Sequence, residues 1–168
     1  LFNYAGMPWK GQKYIREILD TKYNPAVDGL SGTDDCGQMS AWYIFSSLGF
    51  YPVAPGSDTY DIGSPSVVSA VIKLEGGREF RIETLNQSRQ NVYVKRALLN
   101  GVPLSRPLLR HSDITAGGTL TFEMSSTPEE KAFSPVIYSS EKFTLFSDKV
   151  IQGSNTATVI SRDSIESN

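Results

Sequence analysis

Cysteine and histidine are almost missing from this 168-residue chain, which carries one of each, Cys36 and His111. A single cysteine excludes an internal disulfide and a zinc-ribbon type of site. It says little about compartment, because secreted bacterial enzymes often have no disulfides. Neither sign of charge dominates: 16 Lys and Arg stand against 18 Asp and Glu, for a net charge of −2. That balance leaves no basic stripe for a nucleic acid partner. No stretch approaches the roughly 18 consecutive apolar residues that a bilayer span requires. The apolar and aromatic opening, residues 1–6, lacks the basic start and small-residue cleavage site of a signal peptide. The chain reads as if cut from something longer, and no internal repeat is visible.

What is present suits a folded body. Hydrophobic residues make up 39% of the chain, enough for a core. The pattern changes near residue 55. Residues 10–21 predict an amphipathic helix with Tyr14, Ile15, Ile18 and Leu19 on one face, stopped by Asn24-Pro25. Residues 38–48 predict a second helix, apolar in nearly every direction through Met39, Ala41, Trp42, Tyr43, Ile44, Phe45 and Leu48, with Gly49 as its cap. Such a helix expects partners on several sides, and two helices alone do not provide them.

Beyond Pro52 and Pro55 the signal is β. Residues 67–74, then Phe80 and Ile82 in alternation, read as strands around a Glu75-Gly76-Gly77 turn. Residues 92–99 precede the turn dipeptide Asn100-Gly101, and Leu120, Phe122 and Met124 alternate after Gly117-Gly118. Residues 125–135 form a Ser/Thr/Pro/Glu connector, and weaker strand candidates occupy 142–146 and 157–160. Strands at this spacing suggest an antiparallel, sandwich-like domain.

The segment richest in chemistry runs from Asp28 to Trp42. Glycines at 29, 32 and 37 make a loop able to bring backbone close to a ligand. Asp34 and Asp35 sit where that loop enters the second helix, and two readings stay open for them. They cap the helix beside a tight turn, or one caps while the other faces a pocket as a base or metal ligand. The acids do not follow the spacing of an EF-hand loop. Cys36 and His111 would pair as nucleophile and base only if the fold joined them. Trp9, after Pro8, is a candidate sugar-stacking platform. Trp42 reads better as core.

Four blocks of this sequence resemble glycoside hydrolase family 92, the calcium-dependent exo-acting α-mannosidases. They are LFNYAGMPWK at 1–10, GLSGTDDCGQMSAWY at 29–43, GFYPVAPG at 49–56 with YDIGSP at 60–65, and the Asn100-Gly101 turn with GGTLTFEM at 117–124. The resemblance covers about residues 1–130. It implies an α+β chain: the last helices of an (α/α)6 barrel over 1–55, an antiparallel sandwich-like region over 56–130, and a linker and β-prone tail over 131–168. It also implies hydrolysis of α-mannosides, with α-1,2 linkage expected, through inversion, which needs one carboxylic acid and one carboxylate base. The position matching the family's base is Asp35, with Asp34 as second choice. Thr33 stands where the family often has Asp or Asn. Trp9, Thr33 and Gln38 are the implied substrate contacts. Calcium is implied as cofactor, with ligands unassigned. Mannose-containing glycans and the remaining part of the same enzyme are the implied partners, and secretion or a periplasmic or cell-surface location the implied setting. The family's catalytic Glu lies well upstream of this loop and nothing here matches it, Glu17 and Glu75 included, so these residues alone are expected to be inactive. The competing readings are a non-catalytic carbohydrate-binding β-sandwich and a structural domain that docks on partner chains.

Overall fold

The computed structural model describes residues 1–54, 56–134 and 136. Helix α1 spans Pro8–Thr21 and helix α2 spans Gln38–Leu48. Pro8 opens α1 at the position where its fixed φ and missing N–H cost nothing. Gly49 closes α2 at φ 98°, and its N–H donates to the carbonyls of Phe45 and Ser46 at 3.1 Å. That left-handed cap is the one the sequence predicts.

The buried side of α1 differs from expectation. Pro8, Gln12, Arg16 and Leu19 are buried, whereas Tyr14 is 50% and Ile18 38% exposed. The helix is turned so that two polar side chains face inward, and each finds backbone partners. Gln12 Oε1 accepts the Val94 N–H at 3.0 Å. The Arg16 guanidinium donates to the Pro65 carbonyl at 2.9 Å and to the Ser88 carbonyl at 3.1 Å. Two bonds to loop carbonyls and one from a strand N–H thus accompany the inward turn of Arg16 and Gln12. Helix α2 shows a related inversion: Ser46 and Ser47 are buried while Tyr43 and Ile44 are exposed.

Among the described residues eight strands follow: β1 (Phe50–Tyr51), β2 (Thr59–Ile62), β3 (Ser69–Lys73), β4 (Glu79–Leu85), β5 (Tyr93–Leu99), β6 (Val102–Pro103), β7 (Leu108–Arg110) and β8 (Gly118–Ser125). They form a three-stranded sheet, β1-β2-β7, and a five-stranded sheet, β3-β4-β8-β5-β6. The chain is therefore α+β, as the pattern predicts. Asn100 and Gly101, at φ 50° and 80°, make the expected tight turn between β5 and β6. Pairing is antiparallel with one correction: β4 and β8 run parallel. Strand β8 enters between β4 and β5, which run in opposite directions, so it has to be parallel to one of them. A short helix, α3 (His111–Ala116), which periodicity does not reveal, returns the chain from β7 to β8.

The alternating residues of β4, β5 and β8 meet residues from the smaller sheet in one core. Phe80, Ile82, Val94, Leu120 and Phe122 join Phe50, Ile62 and Leu109, and Phe45 and Leu48 of α2 pack against it. The foot of α2 is thereby fixed, which places its N-terminus and the glycine loop. The strands expected at 142–146 and 157–160 lie outside the described residues.

Candidate active site

The loop ahead of α2 is tied at its base. Tyr23 bridges to Leu30, Ser31 Oγ donates to the Lys22 carbonyl at 3.0 Å, and the Tyr23 hydroxyl donates to the Met39 carbonyl at 3.2 Å. Tyr23 also stacks on Trp42, with ring centroids 5.7 Å apart and planes 12° apart. Trp42 is half-buried there and lines a groove, a middle course between core and platform.

The two neighbouring acids have separate surroundings. Asp34 Oδ1 accepts the N–H groups of Met39 and Ser40 at 2.8 and 3.0 Å, and Oδ2 accepts the Ser40 hydroxyl at 2.5 Å. Its carbonyl accepts the Gly37 N–H at 3.0 Å. These are the unsatisfied donors of a helix start met by a carboxylate. The Ser40 hydroxyl first, and the amides with it, hold the Asp34 carboxyl below its ordinary value. Burial pushes the Tyr23 hydroxyl up, and the nearby Asp34 charge adds to that. A single turn of 3-10 helix, Asp35–Gly37, follows, in which Cys36 and Gly37 both take positive φ, 54° and 73°. That reversal leaves the Asp35 side chain exposed and, among the described residues, without a hydrogen-bond or ion-pair partner.

Asp34 ionised is the better acceptor, so its folded value lies under its unfolded one. Its stabilising effect is full above the ordinary carboxylate range and fades as acid carries the pH down through the folded value. We expect Asp34→Asn to flatten the loss of stability on acidification, read as urea midpoints across the acid range. An unchanged acid slope in the variant would refute the assignment.

Thr33 and Gln38 are exposed on the same loop-to-helix junction as the acids. Trp9 is half-buried in the first turn of α1, shares no hydrogen bond with the junction and lines neither of the two apolar grooves nearby. One groove, of about 240 Å³, lies between α1 and α2 and is walled by Phe2, Tyr14, Ile18, Trp42 and Tyr51. The other, of about 430 Å³, opens beside the glycine loop among Tyr23, Leu30, Ser40, Tyr43 and Ile44. The fold does not join Cys36 to His111: His111 Nδ1 lies 3.0 Å from the Tyr60 hydroxyl, and Cys36 is exposed in the loop. Among the described residues no three of His, Cys, Asp and Glu gather as a metal-binding group.

One polar cluster escapes sequence reasoning. Asn3 Nδ2 donates to Asp61 Oδ1 at 2.9 Å and to the Ile62 carbonyl at 3.1 Å, and the Tyr4 hydroxyl donates to Asp61 Oδ2 at 2.8 Å. Asn3 and Asp61 are both 8% exposed. Two of the blocks quoted above thus meet in space, which their separation by 58 positions conceals.

The sequence profile of the glycosyl hydrolase family 92 catalytic domain matches residues 1–126. The chain belongs to glycosyl hydrolase family 92. An uncharacterized secreted glycosidase of Arthroderma benhamiae is 31% identical over 136 residues, 79% of this chain and 17% of that protein. The solved structure of a family 92 α-mannosidase from Bacteroides thetaiotaomicron is similar at 45% identity and a TM-score of 0.75, over 79% of this chain and 18% of that one. A family 92 inverting mannosidase from the same organism is similar at 37% identity and a TM-score of 0.71, over 80% and 19%. The family 92 chain described here therefore spans less than a fifth of the length of each of these relatives.

Proposed function

We propose that this chain is part of the catalytic domain of an inverting, exo-acting α-mannosidase that removes α-1,2-linked mannose from glycans, and that Asp35 is its general base. The observation that carries this reading is the division of labour between neighbouring carboxylates. Asp34 has both oxygens engaged by α2, whereas Asp35 is exposed with its oxygens open. An inverting base needs an unengaged carboxylate to take a proton from water, opposite an acid roughly 6.5–9.5 Å away. Thr33 leaves no carboxylate two positions before Asp35, so in this reading the water falls to Asp35 alone.

The acid that protonates the leaving oxygen comes from elsewhere in the enzyme. Exposed Tyr14, Ile18, Tyr43 and Ile44 favour this over a carbohydrate-binding module. They give α1 and α2 apolar faces that further helices of an (α/α)6 barrel would cover, and a binding sandwich has no use for them. The mannosidase structures similar to this chain supply the substrate class, and the secreted fungal relative supports action outside the cytoplasm. Calcium belongs to the complete enzyme in this reading. No helix among the described residues is long and apolar enough to cross a membrane.

The test has two arms. These 168 residues alone are expected to leave an α-mannoside with calcium unhydrolysed. The complete enzyme containing them is expected to release mannose that appears first as the β-anomer, followed by NMR before mutarotation. Turnover by the chain alone, or α-mannose as first product, would overturn the assignment.

A further inference from the structure

We propose that Ser40 and Asp34 are positioning residues for Asp35, a lock that aims the catalytic carboxylate without touching the sugar. The proposal rests on the reading of Asp35 as base. Its ground is the route by which the Asp35 main chain is held. Asp35 follows Asp34 directly, and the reversal at Cys36 and Gly37 uses two consecutive left-handed residues, one of them not glycine. A non-glycine residue in that region keeps its conformation only where the surroundings enforce it. Here the enforcement comes from Asp34 on one side and α2 on the other.

The Asp34 carboxylate spans from before the turn to after it, gripping Met39 and Ser40, while its carbonyl receives Gly37 N–H. Ser40 gives the grip its second oxygen through a hydroxyl bond of 2.5 Å, in the range of a charge-assisted contact. Without that hydroxyl the carboxylate keeps contact through Oδ1 alone and can swing about it, and the loop residue that follows swings with it. The foot of α2 is anchored in the core through Phe45 and Leu48, so the lock refers Asp35 to a rigid element. Tyr23, bonded to the Met39 carbonyl and stacked on Trp42, braces the same turn from the other side.

The experiment uses the complete enzyme with Ser40→Ala, Ser40→Thr, Asp34→Asn and Asp35→Asn. A displacement near 1 Å at a reacting group costs up to about a hundredfold in rate. Loss of one anchor out of several is expected to lower kcat about tenfold in Ser40→Ala, with KM held within about twofold. Ser40→Thr keeps the hydroxyl and is expected to restore most of the rate. Asp34→Asn, which weakens the same contact from the other end, is expected to match Ser40→Ala. The acid limb of the pH–rate profile stays in place in Ser40→Ala, because the base itself is unaltered. Wild-type kcat in Ser40→Ala, or a fall in kcat that tracks a rise in KM and that threonine does not reverse, would overturn the lock. Asp35→Asn separates the two ideas. If it keeps wild-type kcat, the base assignment fails, whatever Ser40 does; if it loses far more than Ser40→Ala, that assignment stands and the serine result judges the lock alone.

Discussion

Asparagine in place of Asp35 is expected to reduce kcat of the complete enzyme about 10²–10⁴-fold, the usual worth of a positioned general base. The substitution is nearly isosteric. Asp35 is exposed and has no partner to lose among the described residues, so folding should be untouched. A rate loss with unchanged thermal midpoint then reports chemistry and not structure. KM should move little, because the base acts on water and its effect appears in the transition state. The choice of substrate sharpens the result. An aryl α-mannoside with a very acidic leaving group needs no protonation, so it relieves the loss of an acid but not of a base. Asp35→Asn should stay slow on such a substrate. Recovery on it would assign Asp35 the acid's role, and full activity on ordinary mannosides would remove it from the mechanism.

Local rules read the loop well because its structure is local. Gly37 before α2 and Gly49 after it are where a helix start and a cap demand them, and Asp34 caps at the expected place. The strand pattern was equally legible at Phe80, Ile82, Leu120 and Phe122, whose alternation survives as one buried face. What failed was decided across long separations. Periodicity assigns one face of α1 to Tyr14, Ile15, Ile18 and Leu19; Leu19 is buried as expected, but Gln12 and Arg16 turn inward in place of Tyr14 and Ile18, where Val94, Pro65 and Ser88 offer backbone partners. No spacing rule pairs positions 16 and 88. The parallel run of β4 and β8 was hidden for the same reason, since it depends on which strand is inserted between which. At the site, the sequence placed both acids on one loop and left their roles open. Geometry gave one of them to the helix.

Removing the Asn3 side chain should lower the stability of this chain by about 2–4 kcal/mol, the cost of stranding a buried carboxylate oxygen and a buried carbonyl together. Among the described residues Asn3 is the one donor to Asp61 Oδ1, and it reaches the Ile62 carbonyl with the same amide group. Solvent cannot easily replace it, because both residues are 8% exposed. Asn3→Ala is therefore expected to drop the thermal midpoint by roughly 8–15 °C for a unit of this size. Tyr4→Phe should cost less, about 1 kcal/mol, since Tyr4 is only half-buried and its hydroxyl gives Asp61 Oδ2 one neutral hydrogen bond. The double substitution Asn3→Ala with Asp61→Ala decides whether the clamp is real. If Asn3 works by satisfying Asp61, removing Asp61 also removes the stranded charge, and the pair should cost clearly less than the sum of the single changes. Additive costs, or an Asn3→Ala variant within about 0.5 kcal/mol of wild type, would show that the two groups are neighbours without coupling. The clamp matters beyond stability because Asn3 lies just ahead of α1 and Phe2 beside it walls the groove between the helices. Loosening it frees the segment that sets where α1 begins, and with it the apolar face that α1 offers to the rest of a catalytic domain.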